Sequence, residues 1–267
     1  MKVFNAVEVM CAAAMQAGVD NVANRPFLLT PEEPTERAVL LVHGFTASPW
    51  EMRPVAEYLQ TVGFASLAVR LAGHGTYPED LATRRWQEWR NDVAAGYRLL
   101  AENYRQVFAV GVSTGALLLL HRSLTDRYVG LTLISPYLRL RHQLAPWADW
   151  LHRFIPYQRA NHASTAAPYY YARRPLAGVA QLNRLVAQIK TELPKMKTPT
   201  LILGGAGDRT IDVGSTRTLF NRLGAPDKTC HQFGPEAAHV LCAPESPVQG
   251  ETLRRIAEFF NRQEADK

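Results

Sequence analysis

Ala109-Val-Gly-Val-Ser113-Thr-Gly-Ala-Leu117 sets a serine between two glycines, with a β-prone run before it and a helix-forming run after it. Gln106-Val-Phe-Ala-Val110 has the composition of a buried strand. Ala116-Leu-Leu-Leu-Leu120 has that of a buried helix, closing in the polar His121-Arg122-Ser123. A chain that turns sharply from strand to helix around Ser113 needs small residues on both sides, and Gly111 and Gly115 provide them. Such a turn lifts the hydroxyl out of the sheet and sets it near a helix N-terminus. A chance Gly-x-Ser-x-Gly is expected about 0.03 times in a chain of this composition, so the motif is informative but needs support from elsewhere.

The flanking sequence repeats the strand–helix rhythm. Upstream, Pro-rich polar sequence (Thr30 to Glu36) leads into Ala38-Val-Leu-Leu-Val42, a buried-strand run ending at His43-Gly44. Met52–Thr61 has helical periodicity, Phe64–Val69 reads as a strand, and Leu71-Ala-Gly-His-Gly75 as the loop after it. Trp86–Tyr104 predicts a helix with Trp86, Trp89, Val93, Tyr97 and Leu100 on one face, so the two tryptophans read as core. Downstream, Leu131–Ile134 is a strand stopped by Ser135-Pro136. From Tyr137 to about Lys197 no clear buried strand occurs, only aromatic and basic sequence of helical or irregular type. Alternation resumes with a strand at Pro199–Leu203, a helix at Thr216–Leu223, a strand at Thr229–Phe233 and a helix at Glu251–Asn261. This pattern predicts an α/β fold: a mostly parallel central sheet flanked by helices, with ligands bound at the carboxyl ends of the strands.

A serine hydroxyl becomes a useful nucleophile only when a base takes its proton and a third group orients that base. Both partners are expected past the ends of later strands. Pro199–Leu203 runs into Gly204-Gly-Ala-Gly-Asp208, and Thr229–Phe233 runs into Gly234-Pro-Glu-Ala-Ala-His239. Asp212 is a rival acid close by, and His231 a rival base inside the strand run. Acyl transfer also needs donors aimed at the developing oxyanion. The backbone N–H groups of Thr114, at the helix start, and of Phe45, after the first core strand, are the candidates. His43 and His74 read as structural residues of their loops.

Bulk properties bound the alternatives. The 267 residues suit one compact domain with an insertion or two small domains, and 47% apolar with 20% charged content is ordinary for a globular protein. The net charge of +6 comes from scattered basic residues without a nucleic-acid-binding signature, so no nucleic-acid partner is expected. Three cysteines, Cys11, Cys230 and Cys242, have neither disulfide nor metal-ligand arithmetic. No metal or organic cofactor is expected, and Gly204-Gly-Ala-Gly207 lacks the spacing of a phosphate loop. No run is long enough to cross a bilayer. Val3, Val7, Met10, Ala14 and Ala17 share one helical face, which predicts an N-terminal helix packed on the domain. A signal peptide could be read into Met1–Gly18, but Asn5 and Glu8 interrupt it, so a cytoplasmic location is the expectation.

The combination of His43-Gly-Phe-Thr-Ala-Ser-Pro49, Met52-Arg-Pro54, Gly73-His-Gly-Thr76, Gly111-Val-Ser-Thr-Gly115, Gly207-Asp208 and His239-Val240 resembles the α/β-hydrolases. Within them it is similar to bacterial carboxylesterases and monoacylglycerol lipases with a small cap. The resemblance spans about residues 26–260. It implies an N-terminal extension over 1–25, a core over 26–136 and 198–267, and a small helical cap over 137–197, inserted after the strand that follows the nucleophile helix. It further implies Ser113 as nucleophile, His239 as base, Asp208 as orienting acid, and Phe45 and Thr114 as the oxyanion hole. Thr114 stands where similar enzymes often carry Met or Leu.

The implied substrate is a small-molecule ester cleaved through an acyl-enzyme. In the cap, Trp147, Trp150, Leu151, Phe154 and Ile155 fall roughly at helical spacing and Tyr169-Tyr-Tyr171 follows. Trp147, Trp150, Leu151, Phe154 and Tyr170 are therefore candidates to bind an apolar acyl chain, with packing of the cap as the alternative. Arg173-Arg174 could attract acidic substrates, but reads rather as a solvated surface pair. Other uses of the same triad, carbon–carbon bond hydrolysis or acyl transfer to an alcohol, stay open, as does a non-catalytic ligand receptor. Dehalogenase and epoxide hydrolase chemistry is disfavoured, because it uses an aspartate where Ser113 stands.

Overall fold

The computed structural model describes residues 2–141, 147–160 and 169–265. Among them, seven strands form one sheet: β1 (Phe27–Leu29), β2 (Arg37–Val42), β3 (Ala65–Val69), β4 (Gln106–Val112), β5 (Leu131–Ile134), β8 (Thr200–Gly205) and β9 (Lys228–Phe233). The intervening β6 (Tyr157–Arg159) and β7 (Arg173–Pro175) pair with each other, apart from the sheet. The sheet order is β1-β3-β2-β4-β5-β8-β9, parallel throughout except for β1, which runs antiparallel to β3 at one edge.

Side-chain alternation along the strands divides the core into two layers. Leu40, Val42, Leu67, Val69, Ala109, Leu133 and Ile202 point to one face. There they meet α4 (Trp86–Ala101), α5 (Thr114–Arg122), α7 (Leu176–Glu192) and α8 (Gly214–Arg222). Val39, Leu41, Phe108, Val110, Val112, Leu201 and Leu203 point to the other face and meet α2 (Arg53–Thr61) and α9 (Gln249–Ala265). Trp89 is fully buried, and its indole N–H donates to the Ala72 carbonyl at 3.0 Å, so it is core with its one donor satisfied. The N-terminal helix α1 (Lys2–Gln16) packs through Val3, Val7 and Ala14, with Met10 and Cys11 partly buried. No helix among the described residues is long and apolar enough to cross a membrane.

Between β5 and β8 the chain leaves the sheet, and this excursion adds a short hairpin to the helical sequence expected of it. It contains the β6–β7 hairpin, whose three-residue strands are too short to leave a period. It also contains α3's packing partner α7, a 17-residue helix; α3 (Pro78–Thr83) is a short helix upstream. α7 buries Leu176, Val179, Leu182, Leu185, Val186 and Ile189, the i, i+3, i+4 stripe of an amphipathic helix. By contrast, α6 (Ala148–Leu151) is a single turn.

Three consecutive tyrosines tie the excursion to loops of the sheet. The ring of Tyr169 stacks on Trp50 at 3.9 Å and 6°. The Tyr170 hydroxyl donates to Glu51 Oε1 at 2.8 Å. The Tyr171 hydroxyl donates to the Gly73 carbonyl at 2.8 Å, and its backbone N–H to the Thr46 carbonyl at 2.9 Å.

A close backbone approach brings α5 onto β2. A Cβ on Gly115 would lie 2.1 Å from the Val42 carbonyl oxygen, inside any permitted contact. Gly115→Ala should therefore cost roughly 3 kcal/mol, since backbone and not a flexible side chain would have to move. Gly250→Ala is the control. It lies in the first turn of α9 with open space around an added methyl, and the change should stabilise by about 0.5 kcal/mol. Urea unfolding of the two variants separates these outcomes, and equal effects would show that the Val42 contact does not constrain the fold.

Candidate active site

β4 ends at Val112 and α5 begins at Thr114, so Ser113 alone makes the turn. Its φ of 53° and ψ of −109° place it in a region that L-residues rarely occupy, at a cost of about 1–3 kcal/mol. Its N–H donates to the Ile134 carbonyl at 2.8 Å, which holds the turn against the neighbouring strand. Thr46 (φ 67°) and Ser135 (φ 48°) are the other described non-glycine residues with positive φ. They follow β2 and β5, the strands on either side of β4. The unfavourable backbone conformations thus gather at one edge of the sheet.

The other two expected residues arrive at that edge as anticipated. Asp208 follows β8 and is almost wholly buried; His239 lies in the loop after β9. His239 Nδ1 lies 2.5 Å from Asp208 Oδ2. The other carboxylate oxygen, Oδ1, accepts the N–H groups of Thr210 (2.7 Å) and Ile211 (3.2 Å). Four hydrogen-bonding contacts therefore fix the pair, counting the Ser135 hydroxyl that donates to the His239 carbonyl at 2.6 Å. The glycine-rich stretch before Asp208 is explained by close approach. A Cβ on Gly205 would lie 2.3 Å from the Ala237 carbonyl, and one on Gly207 2.2 Å from that of Pro235, so the acid and histidine loops pack backbone to backbone. The rivals lie elsewhere. Asp212 Oδ1 accepts the Gly214 N–H, and His231 sits 3.8 Å from Glu251.

Ser113 and His239 line one pocket of about 540 Å³, together with Gly44, Phe45 and Thr114. The loop that carries Phe45 is held by buried polar groups. The Leu71 N–H donates to His43 Nε2 at 3.2 Å, which makes Nε2 the acceptor and leaves Nδ1–H to donate to the Gly44 carbonyl at 2.8 Å. Burial pushes the His43 imidazole down to about 4, so it is neutral near pH 7, as its structural reading requires. His74, also pushed down by burial, meets His43 edge-on, with ring centroids 5.0 Å apart.

Two pocket residues, Glu51 and Tyr137, escaped the sequence reading, and a third, Arg174, reads there as half of a solvated surface pair but lines the pocket. Glu51 is buried and accepts the Gly44 N–H at 2.6 Å through Oε2, while Oε1 takes the Tyr170 hydroxyl. Burial raises its carboxyl above the ordinary range, against those two hydrogen bonds and the nearby His239. Its only sequence signal is an acid between Trp50 and Met52 in an otherwise apolar turn. Tyr137 is buried with its hydroxyl 3.2 Å from Thr114 Oγ1, and Arg174 enters the pocket from β7.

The cap aromatics need correction. Tyr170 does line the pocket, but Trp147, Trp150, Leu151 and Phe154 do not. Trp147, Trp150 and Phe154 are 66%, 61% and 68% exposed, and Ile155 is exposed as well. The reason is local. α6 is one turn long, and its inward side is filled by Ala148, with Leu151 partly buried against the same cluster of Leu176, Val179 and Ala180. The apolar lining comes instead from Leu140, Val179, Leu182 and Val240. Among the described residues no three His, Cys, Asp or Glu side chains converge as metal ligands.

Residues 33–243 match the Hydrolase_4 family model, described as serine aminopeptidase, S33. The chain belongs to that family. It is an α/β-hydrolase and an esterase-like serine hydrolase. It is 28% identical over 202 residues to a thermostable monoacylglycerol lipase of Bacillus sp. (strain H-257), covering 71% of this chain and 78% of the relative. It is 24% identical over 211 residues to a carboxylesterase of Bacillus subtilis (strain 168), covering 77% and 85%. Among solved structures, the monoacylglycerol lipase of Paleococcus ferrophilus shares the fold with a TM-score of 0.74 at 21% identity, covering 90% of this chain and 99% of that one. A metagenome-derived lipolytic enzyme shares it with a TM-score of 0.81 at 24% identity, covering 90% and 98%.

The depressed His43 gives a pH prediction. Its value falls from 6.5 unfolded to about 4 folded, so the fold binds fewer protons and its stability is lost as pH falls through that window. Relative to a His43→Gln variant, the wild type should lose up to roughly 3 kcal/mol of its advantage between pH 7 and pH 4. Urea midpoints of both proteins at several pH values read this directly, and parallel curves would refute a neutral buried His43.

Proposed function

We propose that the chain hydrolyses carboxylic esters of short to medium acyl chains, monoacylglycerols among them, with Ser113, His239 and Asp208 as the catalytic triad. The observation that carries this reading is the convergence at one pocket of a serine on a strained strand-to-helix turn and a histidine already paired with a buried carboxylate. The two Bacillus relatives, named as a lipase and an esterase, support the ester class.

Each step follows from these positions. Asp208 Oδ2 accepts Nδ1–H of His239, which leaves Nε2 free to take the Ser113 proton. Ser113 Oγ bonds to the ester carbonyl carbon, and the carbonyl electrons move onto oxygen. The N–H groups of Phe45 and Thr114 stabilise that oxyanion, with the α5 N-terminus adding its dipole. Collapse expels the alcohol, which takes the proton from His239. Water, deprotonated by His239, then attacks the acyl-enzyme and releases the acid and free Ser113. The 137–197 excursion acts as the cap, closing the pocket with Tyr137, Leu140, Tyr170, Val179 and Leu182 and excluding bulk water.

An aminopeptidase reading, suggested by the family description, needs an anionic anchor for a substrate ammonium. The buried candidate, Glu51, already accepts from Gly44 and Tyr170. Ester hydrolysis is therefore the better fit.

Ser113→Ala should lower kcat/KM for p-nitrophenyl butyrate by about 10⁴-fold or more without changing the thermal unfolding temperature. Asp208→Asn should lower it by roughly 10³- to 10⁴-fold. A fluorophosphonate probe should label the wild type and not Ser113→Ala. Undiminished turnover in Ser113→Ala would overturn the assignment. Absence of labelling in the wild type would favour a silent ligand receptor. Product analysis with added alcohol separates hydrolysis from acyl transfer.

A further inference from the structure

The hydrolytic steps leave two pocket cations without a task; Arg209 is exposed, whereas Arg174 is partly buried. Arg174 is the middle residue of β7, opposite Gln158, and its side chain lines the pocket with Ser113, Tyr137 and Leu140. Alternation along the strand sends its neighbour Arg173 outward, where it pairs with Glu79 at 2.9 Å and lies over the Tyr157 ring. The tandem arginines thus have opposite fates, one solvated and paired, the other directed into the pocket.

No carboxylate among the described residues pairs with Arg174. Residues 142–146 and 161–168 contain no Asp or Glu. Three acids do line the pocket, and each is accounted for: Glu51 is held by Gly44 and Tyr170, while Glu236 and Glu245 are exposed. The group acting on the guanidinium is the Tyr137 hydroxyl, itself raised by burial and so uncharged. A guanidinium does not shed its proton, and a desolvated cation without an anion is costly unless the ligand supplies one.

Charge across the fold points the same way. Residues 137–197 hold ten Lys and Arg against two acids, and the rest of the chain holds 20 against 22. The excursion therefore carries +8 and the remainder −2, which together give the net +6. Both of its acids are engaged, Asp149 by Arg184 at 2.6 Å and Glu192 by Gln188 at 2.8 Å. A cap of this charge over an open pocket draws anions toward it. The Thr114 hydroxyl, bonded to Tyr137, extends the polar wall from the oxyanion hole toward Arg174.

We propose that the substrate is an ester that also carries a carboxylate, which the Arg174 guanidinium binds while the ester carbonyl lies at Ser113. This rests on the hydrolase reading of Ser113. The chemistry is shared by two sources, a carboxylate at the far end of the acyl chain or one on the alcohol.

The test uses ester pairs that differ by one charge. On the acyl side these are p-nitrophenyl hydrogen adipate and its methyl ester; on the alcohol side, 4-carboxyphenyl butyrate and its methyl ester. In at least one pair the anion should have a kcat/KM about tenfold or more above the neutral ester, the size of one charge-assisted contact. That ratio should fall to unity or below in Arg174→Met, persist in part in Arg174→Lys, and shrink with added salt. The pair that responds identifies the source.

Calorimetry with monomethyl adipate on Ser113→Ala reads the same contact without turnover, and binding should vanish when Arg174→Met is added. Thermal unfolding of each variant separates lost folding from lost binding. Equal rates within both pairs, or a preference that survives Arg174→Met, would overturn the proposal. If no ester turns over and the fluorophosphonate fails to label, the hydrolase reading fails instead, and the calorimetric arm still decides the role of Arg174.

Discussion

The approach of Gly115 to the Val42 carbonyl is the constraint on which the site depends. It seats the first turn of α5 against the end of β2, and so brings the Ser113 turn beside the loop that carries Phe45. Phe45 and Thr114, the two residues proposed to supply oxyanion donors and reached from different strands, thereby line one pocket. The cost appears in the backbone. Thr46, Ser113 and Ser135 hold positive φ past the ends of three adjacent strands. Such conformations persist because the surrounding structure over-determines them, and here the determining structure is a sheet buried on both faces.

Around that edge, three buried groups have every polar atom of the side chain partnered. Asp208 uses both carboxylate oxygens, Glu51 uses both of its own, and His43 uses both ring nitrogens. This pattern fixes the loops and leaves little orientational freedom in the groups around the serine, which is what electrostatic stabilisation of a transient oxyanion requires. Arg174 stands out against this background because, among the described residues, no hydrogen bond or ion pair engages its guanidinium.

The core of the fold was legible because its signals are local. The run around Ser113, the apolar strands and the loops reaching Asp208 and His239 each lie within a few consecutive residues. β1 left no period because it is three residues long. α7 has a clear apolar stripe, but the aromatic and basic residues around it leave only the helical character of the stretch legible, not the bounds of the helix. The cap aromatics misled for a physical reason: spacing can place Trp147, Trp150 and Phe154 on a common face, but it cannot say whether that face turns toward the sheet or toward water. Glu51 and Tyr137 were invisible, and Arg174 passed for half of a solvated surface pair, because their meaning depends on neighbours distant in sequence. Tyr170 is 119 residues from Glu51, and Tyr137 is 23 from Thr114.

The three consecutive tyrosines have a consequence for how this architecture can vary. Tyr169, Tyr170 and Tyr171 meet three different anchors: an aromatic plane at Trp50, a buried carboxylate at Glu51 and a carbonyl at Gly73. Together they fix the order and the spacing of the attachment. A one-residue insertion or deletion between them would part at least one side chain from its anchor. The three contacts need consecutive residues, so length change in the excursion is disfavoured inside this triplet and falls instead on segments outside it.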